Sequence, residues 1–430
     1  MKLLVRNMAI LVVAFAMLPG TGRSQEAAVT APFTVASYRH AFDSALVAWS
    51  ILTNLKSELR DTDEEYDFQS AFWPMELIGY KTSYVYDRLA FAFGRAASCS
   101  PAFQQKLVEV AYTNWPDTFR SQVRRIMLAT DSPKVFATAA EYLWRGGRYP
   151  QEKTTIQTLI QRKFDTARNN AVLQMLRARL QQQPPGTMPP LTELFSEQFA
   201  PGLTVLYSFQ RKDRDYPGLA VVRMPDGHFV RNPDGSVFSI PQLGRSITDL
   251  PFYLTNGNTP QGIYRMSGFA RSSSRFIGPT TDIQLSVPYE IPVDSFLVTP
   301  APGDTLWTAD AYRSLLPGSW RNYAPAFEAY FAGKAGRTAI IAHGTTINPE
   351  YYRGRSFYPQ TPSQGCLCAH ESWDPVTGVR LESDQQKLVD AIRMAGGGTG
   401  YGCVIELGDA HTPVSIGEIM PFILQAEKNL

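Results

Sequence analysis

The sequence predicts an α+β protein in two parts, an N-terminal all-α helical bundle or short solenoid followed by a mainly β domain. Three observations predict it. Apolar residues recur at spacings of three and four through residues 41–55, 106–115, 121–129, 135–144 and 169–180, the period of one helix face. The Pro-rich stretch QQQPPGTMPP at 181–190 breaks that pattern,. Beyond it come short β-prone runs punctuated by Asp226-Gly227, Asp234-Gly235 and Asn256-Gly257, a spacing that suits tight hairpin turns.

Taken in order, residues 1–25 read as a secretory signal peptide. Lys2 and Arg6 precede the apolar run MAILVVAFAML at 8–18, and a small, polar PGTGRSQ follows,. Eleven apolar residues are too few for a bilayer-spanning helix,, and no other apolar stretch is long enough, so stable membrane insertion is not expected. Residues 30–185 form the helical domain. Within it Ser132-Pro133 supplies a cap and a first-turn proline, and Gly146-Gly147 supplies a stop,. A linker is expected at 186–200, the β domain at 200–415 and a C-terminal tail at 416–430. LTVLYSFQ (203–210), GLAVVRM (218–224), HFVRN (228–232), SVFSI (236–240) and the run around 262–269 read as strands. One helix stands out in the β domain, from Ser383 to about Ala395, where Ser383 and Gln386 suit a capping box and Gly396-Gly397-Gly398 ends it,.

Lys and Arg total 41 against 39 Asp and Glu, a formal charge of +2, and loss of Lys2, Arg6 and Arg23 with the signal leaves the chain slightly acidic. That balance argues against a nucleic-acid partner, which requires a basic stripe. Four cysteines, Cys99, Cys366, Cys368 and Cys403, are too few for a disulfide framework in 430 residues,. One bridge is expected, between Cys368 and Cys403, which leaves Cys366 as a free thiol.

The most informative stretch is IIAHGTTINPEYYRGRSFYPQTPSQGCLCAHE at 340–371. TAIIA (338–342) reads as a buried strand that delivers His343 to a strand end, followed by Gly344. Cys366 lies 23 residues later in the turn Ser363-Gln364-Gly365-Cys366. A histidine can take the proton of a thiol, and glycine beside the cysteine permits the sharp backbone that exposes it and frees amides to hold an oxyanion.

These residues resemble the L,D-transpeptidase catalytic domain of the YkuD type. The resemblance rests on His343-Gly344, Ser363-x-Gly365-Cys366-Leu367 and the upstream Thr259-Pro260-Gln261-Gly262, and covers about 200–410. It implies a cysteine nucleophile, a thioester acyl-enzyme and a peptidoglycan stem peptide as substrate, with no cofactor and no metal. An amine acceptor gives transpeptidation and water gives carboxypeptidase activity. On this reading Cys366 is the nucleophile and His343 the base. Gly365 shapes the oxyanion site, and Ser363 orients His343. Gly344, Arg353, Arg355, Tyr352, Tyr358 and Trp373 bind substrate, the arginines by reaching a carboxylate and the aromatics by lining a groove. Gln364 stands where the family has a second histidine, and Cys368 where it has arginine or asparagine.

Other readings of the same residues stay open. His370 is an alternative base, and Cys366, Cys368 and His370 with Cys403 or His411 are an alternative metal set. The departures at Gln364 and Cys368 also suit an envelope binding or scaffold protein whose chemistry has decayed. The expected location is the periplasm or cell envelope, with the protein partner of the helical domain open.

Overall fold

Side-chain caps set the starts of the helices in the N-terminal half. Asp61, Thr82, Ser100 and Ser132 each accept a hydrogen bond from the amide three residues on, satisfying a donor that the helix leaves free. The computed structural model describes residues 28–165, 169–181, 186–298 and 306–430, and the signal peptide expected at 1–25 lies outside them. The helices are α1 (Ala36–Ala45), continued by a π-helical stretch at Leu46–Thr53, α2 (Thr62–Gln69), α3 (Phe72–Ile78), α4 (Ser83–Arg95), α5 (Pro101–Asn114), α6 (Arg120–Ala129), α7 (Pro133–Trp144), α8 (Glu152–Lys163) and α9 (Ala171–Gln181). α7 is buried at every position from Val135 to Trp144 and is surrounded by α5, α6, α8 and α9, as expected of a helix with few exposed polar positions. Left-handed Arg145 and Gly146 terminate it.

The second half is a closed barrel. Its strands are β1 (Thr204–Gln210), β2 (Gly218–Arg223), β3 (Ile240–Leu243), β4 (Gly262–Ala270), β5 (Asp282–Ser286), β6 (Ala342–His343), β7 (Leu367–Ala369) and, after the small hairpin β8 (Glu371–Trp373) and β9 (Arg380–Ser383), β10 (Thr399–Glu406). Around the ring the order is β1-β10-β4-β5-β6-β7-β3-β2. Only β1/β10 and β6/β7 pair in parallel. Gly227 and Gly235 take the left-handed conformation that their turns need,.

β1 and β2 are buried throughout because alternate residues serve two cores. Val205, Tyr207 and Phe209 pack with α10 (Leu191–Phe195) and α15 (Ile416–Glu427), whereas Leu206 packs with α14 (Asp384–Met394), the period-two division of a pleated strand. The expected linker at 186–200 therefore contributes a helix to the barrel core. The expected tail at 416–430 is a helix with a complete capping box, Ser415 with Glu418. Between β5 and β6 lie further short helices, α11 (Val293–Phe296), α12 (Ala309–Arg313) and α13 (Glu328–Lys334), with 3-10 turns at Gly318–Asn322 and Ala324–Phe327. Pieces of four to seven residues carry too little periodicity to register in sequence,. At α14 the expected cap is half formed. Ser383 accepts the Gln386 amide, while the Gln386 side chain turns to Asp390 (3.0 Å).

The halves interlock. The loop between β3 and β4 leaves the barrel and buries Leu250, Tyr253 and Leu254 in the helical core, each contributing on the order of 1.5–3 kcal/mol by leaving water. Among the described residues no helix is long and apolar enough to cross a membrane.

Tyr312 carries the junction beneath β4. Its hydroxyl accepts from the Ile263 amide (2.7 Å) and donates to the Ala326 carbonyl (2.8 Å), all buried. Tyr312→Phe strands both groups without water, so urea unfolding should show a loss of about 2–4 kcal/mol.

Candidate active site

His343 ends β6, and Cys366 immediately precedes β7. These strands are parallel neighbours, with Ala342 beside Leu367 and His343 beside Cys368, so the barrel brings the two residues together across the intervening loop. The Ile341 carbonyl accepts from the Leu367 amide (3.0 Å), which fixes the register at the thiol itself.

The cysteine turn is held by side chains. Ser363 Oγ accepts from the Gly365 amide (3.1 Å) and donates to the Cys366 carbonyl (2.9 Å). Thr259 Oγ1 donates to the Gly365 carbonyl (3.0 Å), so the Thr-Pro-Gln-Gly block clamps the turn that carries Cys366. Gln261 ties the same block to Glu328 through its own amide (2.9 Å). Gly365 has φ +108°, and a Cβ there would overlap Arg337 Nη2 and the Gly257 carbonyl, so only glycine fits.

Three roles expected from the sequence are reassigned. Ser363 serves the turn and does not orient His343. That task falls to the Gly344 carbonyl, which lies 2.5 Å from His343 Nδ1 and so leaves Nε2 as the basic nitrogen. Gly344 is a backbone support, because a Cβ there would overlap the Glu371 carboxylate. Buried Glu371 accepts from the Thr345 amide (2.9 Å), Thr280 Oγ1 (2.5 Å) and Ser383 Oγ (2.6 Å). It thereby fixes the peptide whose other end orients the imidazole. The Gly365 amide, expected at the oxyanion, is occupied by Ser363 Oγ. Among the described residues the amides of Gln364 and Cys366 make no intramolecular hydrogen bond.

Electrostatics favour the charged pair. Burial raises the proton affinity of Cys366, yet the nearby His343 imidazole, the Ile341 amide and the Arg337 charge outweigh it and lower the thiol's pKa. Burial pulls His343 down, while Cys366 and the Gly344 carbonyl bring its pKa above the usual imidazole value,. The thiol's hydrogen bond runs to the Ala339 carbonyl (3.4 Å) and not to the ring. The coupling of thiol and imidazole is therefore one of proximity and charge, set by the strand pairing.

The other thiols differ. All four cysteines are free, which corrects the expected Cys368–Cys403 bridge. β7 and β10 stand on opposite sides of the ring, four strands apart in either direction, too far for a disulfide. Burial pushes Cys99 up to about 11 and Cys368 up to about 12, and Cys403 higher still.

Most residues expected to bind substrate lie elsewhere or are packed. Tyr352 is buried against Leu243 and Phe357. Trp373 is buried and donates its indole N–H to the Thr345 carbonyl (2.9 Å). Tyr358 donates to Glu350 Oε1 (3.0 Å), and Arg353 pairs with Glu350. Arg355 is exposed, with no side-chain hydrogen bond or ion pair among the described residues. His370, the alternative base, has Asp384 and Glu382 as its charged neighbours, and His411 packs beside Tyr216. No group of three or more His, Cys, Asp or Glu among the described residues is placed to hold a metal.

The cation at the site is Arg337, which sequence reasoning missed. It is 8% exposed and donates Nη1 to the carbonyls of Phe252 (2.5 Å) and Asn258 (2.7 Å). Its other nitrogen lies against Gly365. A single arginine after a short helix carries no motif that could have flagged it.

The opposed shifts make a pH prediction. A lowered thiol pKa means more thiolate at neutral pH, so iodoacetamide at pH 7 should label Cys366 ahead of Cys99, Cys368 and Cys403. In His343→Ala the burial penalty loses its main compensation, and labelling of Cys366 at pH 7, read by peptide mass spectrometry, should fall about tenfold or more.

No protein-family model, no curated protein and no solved structure matches this chain, and the reading of its chemistry is carried by the residues themselves.

Proposed function

We propose that this chain is an exported, cysteine-dependent L,D-transpeptidase acting on peptidoglycan stem peptides. The observation that carries the proposal is the juxtaposition of His343 and Cys366 on adjacent parallel strands, with Thr259 of the upstream block bonded to the cysteine turn. All three sequence blocks behind the family resemblance thus meet at one point.

The chemistry follows from the groups present. His343 Nε2 takes the Cys366 proton, and the thiolate attacks the carbonyl carbon of the donor peptide. The oxyanion lies within reach of the free Cys366 amide. The C–N bond breaks, the leaving amine receives the proton from His343, and a thioester remains on Cys366. The acceptor amine then attacks the thioester, loses a proton to His343, and releases the thiolate with a new amide bond. Water in place of the amine gives the carboxylic acid, which is carboxypeptidase activity on the same substrate.

Gln364 is exposed at the turn and Cys368 is buried behind it, so neither departure from the family motif displaces a group used in these steps. That favours an active enzyme over a scaffold whose chemistry has decayed. The test is an adduct. Incubation with a stem tetrapeptide or a carbapenem should add one acyl group to Cys366 of the folded protein and none to Cys366→Ala. Folded wild-type protein that takes up no acyl group from either reagent would sink the proposal.

A further inference from the structure

We propose that the helical half is part of the active-site machinery: by gripping the β3–β4 loop it holds the Arg337 guanidinium against the cysteine turn, and so maintains the positive field in which the Cys366 thiolate forms. The inference rests on the reading of Cys366 as nucleophile, and assigns a task to a domain for which the resemblance supplies none.

The contacts form a continuous chain. At the site, Arg337 Nη2 abuts Gly365 while Nη1 is fixed by the carbonyls of Phe252 and Asn258. Both carbonyls belong to the β3–β4 loop. That loop is shaped by the helical half, because Leu250, Tyr253 and Leu254 are each 1% exposed within the helical core. Tyr253 Oη donates to Glu141 Oε1 of α7 (2.7 Å), and Glu141 is in turn paired with Arg179 of α9 (2.8 Å). Asn256 Nδ2 donates to Glu109 of α5 (2.6 Å). The barrel holds the loop at its two ends, where the Ile247 amide bonds to the Ser363 carbonyl (2.8 Å) and Thr259 Oγ1 to the Gly365 carbonyl (3.0 Å). The middle of the loop, which carries Phe252, is anchored by helices.

Arg337 has no carboxylate partner among the described residues. The groups facing it are Tyr264 and Cys366. Tyr264 donates to the Pro260 carbonyl (2.6 Å) and is held neutral by burial, so the cation is not neutralised before it reaches the thiol. The groups facing Cys366 are His343, Arg337 and the Cys368 thiol, which burial keeps neutral. A buried cation fixed by two carbonyls has one position available, whereas one whose supporting loop moves does not. Arg337 is on this account a positioning residue for the thiolate, and the helical half is the frame that places it.

The test reads the pH midpoint of Cys366 alkylation by iodoacetamide in the intact chain, followed by peptide mass spectrometry. Alkylation needs no substrate, so a failure of the transpeptidase reading with stem peptides leaves this experiment meaningful. Arg337→Gln should raise the midpoint by about one pH unit, an about tenfold slower reaction at pH 7, and Arg337→Lys, which keeps the charge, should recover most of the shift. Tyr253→Phe alters neither site residue and should raise the midpoint in the same direction by a smaller amount. Where that variant fails to fold, Asn256→Asp serves in its place, setting a carboxylate against Glu109 while tolerating the left-handed backbone at 256,. A folded Arg337→Gln with the wild-type midpoint overturns the role of Arg337. A shifted Arg337→Gln beside loop variants that are folded and unshifted overturns the part given to the helical half.

Discussion

Parallel pairing of β6 with β7 is the constraint on which the site depends. Two residues of β6 pair with the start of β7, and this short contact sets the separation of His343 and Cys366. A strand this short cannot fix its own register. Support comes from outside the pair: Thr259 at the Gly365 carbonyl, Ser363 within the turn, and Glu371 behind Gly344. Each meets the backbone rather than the His343 or Cys366 side chain, so both side chains keep their own hydrogen-bonding capacity.

Burial of the pair has an electrostatic cost, since desolvation pulls both the thiol and the imidazole toward their neutral forms. The fold offsets it with directed partners: the Gly344 carbonyl on the imidazole, and the Ile341 amide and Arg337 on the sulfur side. Cys368, two residues away, meets the Thr361 and Thr345 hydroxyls, and burial together with the Glu371 charge prevails and leaves it an ordinary buried thiol. The contrast between neighbouring cysteines arises from what each meets, because their sequence surroundings are nearly the same.

Much of this was legible in the sequence. The helical spacing in α5, α6, α7 and α9, the cap at Ser132 and the Asp-Gly turns all describe local preferences, which a sequence states directly. The pairing of Cys366 with His343 was legible because glycine beside each marks an unusual backbone. What escaped was of two kinds. Short helices such as α10 and α13, and the C-terminal α15, are set by the apolar surface they cover, and α10 and α13 show too few residues to display a period. Arg337, Glu371 and the service of Ser363 to its own turn are long-range or geometric facts, fixed only once the barrel closes. The aromatics Tyr352 and Trp373 read as groove-lining in the sequence, and their burial decides for packing.

The path of the β3–β4 loop also bears on how the chain comes to be folded. Tyr253 meets Glu141 across 112 residues of sequence, so the helical half, made first, leaves the ribosome with a gap in its core that only a later segment fills. Its helices can form early, since their contacts are local. Their final stability waits for Leu250, Tyr253 and Leu254. The Pro-rich break near residue 185 thus separates two styles of local structure without separating two units of folding. A chain cut there would expose an unfilled core on one side and an apolar loop on the other.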